Sequence, residues 1–164
     1  MRSLILCACL YLVPPAGIAA TVPTALTGAE QRGQATFRHL GLQVYEARLF
    51  TEGGGPLDWS QDFGLELTYQ RKLSQNDLVE ATLREMKPMS NVPPIRAQLE
   101  RCYQGVRPGD RYLAVSKGPD QVSFWRNDRA VCTLSQKGIK THFMASFLSE
   151  NSRSPRFTRA LLGQ

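Results

Sequence analysis

The chain has 164 residues, 42% of them hydrophobic, and a formal net charge of +6 at pH 7. That length fits one domain with a real core. No apolar run is long enough to span a bilayer, and no basic run with interleaved aromatics points to nucleic acid.

The first twenty residues read as a secretory signal peptide. Arg2 gives a minimal basic start, Leu4 to Val13 is a short apolar stretch, and Pro14 and Pro15 break it. Small residues follow at Ala16, Gly17, Ala19 and Ala20, so cleavage after Ala19 is expected, with Ala20 as the close alternative. A lipoprotein site at Cys9 fits less well, because the apolar run before it is very short. The expected product is a single soluble domain, residues 21–164, exported to a bacterial periplasm.

Residues 21–31 are polar and read as an irregular lead-in. Two strands follow, Ala35 to Leu40 and Leu42 to Thr51, hinged at Gly41. Arg38 sits in the first, beside Phe37. A cation on such a sheet must snorkel outward or meet an anion, since a buried unpaired charge is costly. Gly53-Gly54-Gly55-Pro56 ends the pattern as a hairpin tip; without a following Gly-Lys-Ser/Thr it is no phosphate loop.

Phe63 to Gln70 alternates cleanly, with Phe63, Leu65, Leu67 and Tyr69 on one face. Ser74 and Asp77 resemble a capping box opening a helix that Pro88 stops. A second helix is expected from Asn91–Pro94 onward, with Ile95, Leu99, Cys102, Tyr103 and Val106 inward. After the Pro108-Gly109-Asp110 turn come strands Arg111–Lys117, Gln121–Arg126 and Ala130–Gln136, joined at Gly118-Pro119-Asp120 and Asn127-Asp128. A helix over Ile139–Leu148 follows. A last short one has Ser154 as N-cap, Pro155 in its first turn and Gly163 past its end. Strands, helices, strands, helices, with tight hairpins, give an α+β open-faced sandwich: an antiparallel sheet with helices layered over one face. Trp59 and Trp125 read as packing residues.

Two cysteines, Cys102 and Cys132, remain after the signal peptide. In an oxidising compartment they are a disulfide candidate; two buried free thiols are the other possibility. His39 and His142 have no metal-ligand neighbours at useful spacing, so no metal or other cofactor is expected. Hydrolase and paired-acid signatures are missing too. Arginines at 96, 101, 107 and 111, and at 153, 156 and 159, supply much of the basic excess. A solvated surface explains them; an anionic ligand or an anionic membrane face are the sharper possibilities.

Four segments carry a resemblance. They are Leu42 to Phe50 (LQVYEARLF) preceded by Gly33, Phe37, Arg38 and Gly41; Leu65 to Arg71; Gly109-Asp110 with Tyr112 to Val115; and Phe143 to Leu148 with Pro155 and Leu161-Leu162-Gly163. In order and spacing they resemble the chalcone isomerase-like family, in its exported bacterial branch. The resemblance implies a ligand cleft between sheet and helices. It also implies one of two roles for an arginine and a neighbouring hydroxyl residue. They stabilise a phenolate during isomerisation of an enone, or they hold a fatty-acid carboxylate, which suits the planar guanidinium.

Tyr45 matches the tyrosine of the fatty-acid-binding relatives. Arg38 is the preferred arginine and Arg32 the alternative; Tyr69 is a further donor. The helix from Ser74 to Met86 departs from the plant enzymes. Their tyrosine and asparagine fall near Leu78 and Glu85 here, so the catalytic set is incomplete. The expected function is therefore a non-catalytic domain that binds a small apolar anion such as a fatty acid through Arg38, Tyr45 and Tyr69. A lyase or isomerase using Arg38 and Tyr45 on an enone or phenolic substrate is the alternative. A structural or interaction role at the cell envelope is the third.

Overall fold

The structure is a computed structural model that describes residues 25–87, 94–150, 152 and 154–164. The expected signal peptide lies outside the described residues, as do Pro88, expected to stop the first helix, and Arg153. Six strands form one antiparallel sheet in chain order: β1 Ala29–His39, β2 Leu42–Glu52, β3 Gly64–Tyr69, β4 Arg111–Ser116, β5 Gln121–Arg126 and β6 Arg129–Ser135. Four helices accompany it: α1 Gln75–Met86, α2 Arg96–Cys102, α3 Ile139–Leu148 and α4 Pro155–Leu161. The open-faced antiparallel sandwich expected from the hairpins and one-sided helices is the architecture found.

Strand alternation sorts the side chains. Ala35, Phe37, Ala47, Leu49, Leu65, Tyr69, Tyr112, Ala114, Phe124 and Leu134 join Leu78, Leu99, Phe143, Met144 and Leu161 of the helices in one buried core. The other sheet face carries a smaller cluster, Leu113 and Val115 with Phe50 and Trp125, over which Ala25 and Leu26 pack. Arg48 and the buried Glu66 form an ion pair across β2 and β3. Glu66 is cross-strand from Leu113, on the face of that smaller cluster.

Two boundaries differ from expectation. The first strand begins at Ala29, six residues early, because Ala29, Glu30 and Gln31 pair with Glu52, Thr51 and Phe50 despite their polar character. Edge pairing needs backbone donors and acceptors, not apolar side chains, so periodicity misses it. The second helix is only seven residues long. Tyr103 and Val106 are buried beyond its end, with Val106 bridging to Leu73. The Asn127-Asp128 turn has positive φ at both residues, 46° and 69°, the pattern of a type I′ hairpin.

Three devices set the helix layer on the sheet. Ser74 caps α1: its hydroxyl accepts from the Asp77 amide at 3.1 Å and the Asp77 carboxylate accepts from the Ser74 amide at 2.8 Å. Cys102 and Cys132 are disulfide-bonded, Cα atoms 5.2 Å apart, which ties α2 to β6 and decides between the two possibilities left by the sequence. At Gly33 a Cβ would overlap the Leu161 carbonyl oxygen, so only glycine lets α4 lie against β1.

Candidate functional site

The paired start of β2 and end of β1 carry the site. Phe37 faces Tyr45 across the strand pair, and their rings stack with centroids 5.1 Å apart. Phe157 of α4 meets both edge-on, at 5.9 and 6.0 Å, and Phe147 of α3 meets Tyr45 at 6.5 Å. These four rings wall a cavity of about 250 Å³, counting its open mouth, whose other lining residues are Glu85, Ser146, Ser152 and Ser154. It opens between the sheet and the helix layer, where the family resemblance places a ligand cleft.

Size and chemistry follow from that lining. Most of that volume is open mouth; the enclosed part, about 20 Å³, holds little more than a water molecule, far below the roughly 300–1,000 Å³ usual for drug-sized ligands. A long chain must therefore run out through the mouth or move the rings. The walls are aromatic, and the polar groups are the Tyr45 phenol, three serine hydroxyls and the Glu85 carboxyl. The Ser146 hydroxyl donates to the Phe143 carbonyl at 2.6 Å, which keeps an accepting lone pair available.

Tyr69 stands behind Tyr45 on the next strand, cross-strand paired with it and ring to ring at 6.1 Å. It is 4% exposed and does not line the cavity. Burial pushes its phenol well above the usual value, and Tyr103, Tyr45 and Tyr112 nearby push the same way. Tyr69 is thus a neutral core residue that backs the site.

The two candidate arginines are not brought to the cavity. Arg38 follows Phe37 at an irregularity in the β1–β2 register and is exposed at the hairpin end, its Nη1 3.5 Å from the Gly41 carbonyl oxygen. It takes the outward course, snorkelling rather than meeting an anion. Arg32 points to the chain's end: its Nε donates to the Leu162 carbonyl at 3.0 Å and its Nη1 to the Gly54 carbonyl at 3.4 Å. A guanidinium at the C-terminal end of α4 satisfies a free carbonyl and complements the helix dipole.

Sequence reasoning did not find Phe147, Phe157, Ser146, Ser152 or Ser154 as lining residues. Phe147 was visible as part of an apolar helix face, but no spacing rule joins residue 45 to residues a hundred positions later. Glu85 and Leu78, the places matched to the plant catalytic pair, separate clearly. Glu85 lines the cavity, whereas Leu78 is buried in the core at 4% exposure. Among the described residues no group of three or more His, Cys, Asp or Glu side chains gathers to hold a metal, and no helix is long and apolar enough to cross a membrane.

The sheet with its one-sided helices defines a protein of the chalcone isomerase-like fold. Among solved structures it is similar to a fatty-acid binding protein of Arabidopsis thaliana, with a TM-score of 0.63 at 10% sequence identity, covering 83% of this chain and 87% of that one. No family model and no curated protein sequence matches the chain.

Proposed function

We propose that this protein binds a small, mostly apolar ligand of the fatty-acid class and carries out no chemistry on it. One observation carries the proposal: the ring-walled cavity between sheet and helices, with Tyr45 and three serines among its lining residues. The apolar part of the ligand lies among Phe37, Phe147 and Phe157, and its polar end meets Tyr45 and the serines. Burying the ligand's own apolar surface, at about 25 cal/mol per Å², contributes affinity once the chain fills the mouth and parts the rings. The likeness in fold to a plant fatty-acid binding protein supports the ligand class.

The absence of chemistry rests on the helix. A buried leucine occupies the place matched to the plant tyrosine, and it cannot position a substrate hydroxyl or a water. Tyr45 is the contact residue in this reading and Tyr69 its support. Arg32 belongs to the fold and Arg38 to the surface. Export to a periplasm, inferred from the leader-like first twenty residues, would place the domain where ligands leave or enter membranes.

Native mass spectrometry on gently purified protein tests the proposal, together with thermal shift against saturated fatty acids of graded length. A bound mass or a rise in melting temperature is expected. A clean apo mass with no shift at any length overturns it.

A further inference from the structure

Leu40 and Leu42 are the most exposed large apolar residues among those described, at 87% and 54%. They stand at the tip of the β1–β2 hairpin, on either side of Gly41. The turn residues Leu40 and Gly41 have φ of 50° and 79°. That pattern favours Asn, Asp or Gly at its first position; a leucine there is strained. Two solvated leucines held at a strained turn gain nothing from the fold itself, since neither belongs to a core cluster.

Exposed cations gather toward the tip. Arg38 is exposed beside it, with His39 between. The Gln70 amide donates to the Val44 carbonyl at 2.9 Å, which sets exposed Arg71 and Lys72 next to the hairpin. The Gly109 amide donates to the Tyr69 carbonyl at 2.8 Å and brings exposed Arg107 to the same end of the sheet; Arg129 is exposed at the next turn. The acids in these turns are already engaged. Asp110 pairs with Arg126 at 3.1 Å and Asp128 with Arg111 at 2.5 Å. The end of the sheet is therefore an apolar point inside a cationic collar. Phe37 and Tyr45, at the cavity, lie within a few residues of the point.

From this we infer that the hairpin tip docks on an anionic lipid bilayer, with Leu40 and Leu42 inserted at the headgroup boundary and Arg38, Arg71, Lys72 and Arg107 against the headgroups. Apolar insertion combined with attraction to anionic lipid is the chemistry that holds peripheral proteins to membranes. The arrangement sets the cavity beside the lipid surface.

The test is co-sedimentation of the full chain with vesicles of phosphatidylcholine alone and with 30% phosphatidylglycerol, at low and high salt. The leader-like residues are common to every variant, so differences between variants report the tip. Wild type is expected to pellet with the anionic vesicles, less so at high salt. Leu40→Asn with Leu42→Thr should weaken binding about tenfold or more, from the lost apolar burial. Asn suits the turn, so this variant should melt no lower than wild type. Arg38→Gln with Arg71→Gln and Lys72→Gln should remove most of the salt-sensitive part. Equal pelleting of wild type and the leucine variant overturns the inference, as does absence of binding to anionic vesicles at low salt. Leu40-dependent dimerisation in place of vesicle binding overturns it as well.

Discussion

Phe37 and Tyr45 stack at 5.1 Å across the first two strands, while Arg38, the very next residue, is exposed at the hairpin. One residue therefore separates the wall of the cavity from the surface of the protein. The arginine and tyrosine that look like a clamp in the sequence serve two different faces.

Tyr45→Ala should remove the central ring of the cavity wall. Four rings touch Tyr45, so the loss of packing should cost roughly 3–5 kcal/mol. Tyr45→Phe keeps the ring, so it should cost far less stability than Tyr45→Ala while lowering ligand affinity severalfold, through loss of one hydrogen bond of about 1 kcal/mol. Calorimetry on both variants separates the two effects.

Gly33→Ala should lift the end of α4 from β1. A methyl group there meets the backbone of residues 160 and 161, which cannot move without unseating Phe157. Overpacking of this kind costs roughly 1–3 kcal/mol, and ligand affinity should fall with it because α4 supplies a cavity wall. Arg32→Ala should act in the same direction, more weakly, by freeing the Leu162 carbonyl. Denaturant midpoints and hydrogen exchange in the last ten residues check this.

Removal of the disulfide by Cys102→Ala with Cys132→Ala should destabilise the domain by roughly 2–4 kcal/mol, since the bond closes a loop of sequence separation 30. The same loss should follow reduction of the wild type. Denaturant unfolding with and without reductant measures it.

Alkaline pH should weaken the fold. Burial raises the Tyr69 phenol in the folded state well above its usual value, and Tyr103 is raised for the same reason. The unfolded chain ionises near pH 10 and releases these protons first. Above that pH it binds fewer protons than the folded state, so stability falls as pH rises. Below pH 10 the contribution is fully present and flat. Urea midpoints at pH 8 and pH 11 should differ by less in Tyr69→Phe with Tyr103→Phe than in wild type.

Lys140 shows what local patterning cannot foresee. It is 4% exposed, and its Nζ donates to the carbonyls of Trp59 and Gln61 at 2.8 and 2.5 Å above the Phe63 ring. Nothing at position 140 marks it as a clamp for a loop eighty residues earlier. The same holds for Arg32 and Leu162, 130 positions apart. By contrast Ser74 with Asp77, the Asn127-Asp128 turn and the Ile139–Leu148 helix were legible, because each depends on neighbours within a few residues. At the site, Tyr45 was legible and its partners Phe147 and Phe157 were not, since tertiary packing alone brings them together. Alternation sets Phe37 inward and its neighbour Arg38 outward, so a place inside the patterned strand does not by itself bring a cation to the cavity.

The sharpest test of ligand binding beneath Tyr45 is a thermal-shift titration with a medium-chain fatty acid on wild type, Arg38→Ala and Ser146→Phe. Ser146 lines the cavity, so a phenylalanine there should fill it. Wild type and Arg38→Ala should both gain stability with ligand, while Ser146→Phe should fold and gain none. An equal gain in Ser146→Phe, or a gain lost only in Arg38→Ala, would contradict a site in this cavity.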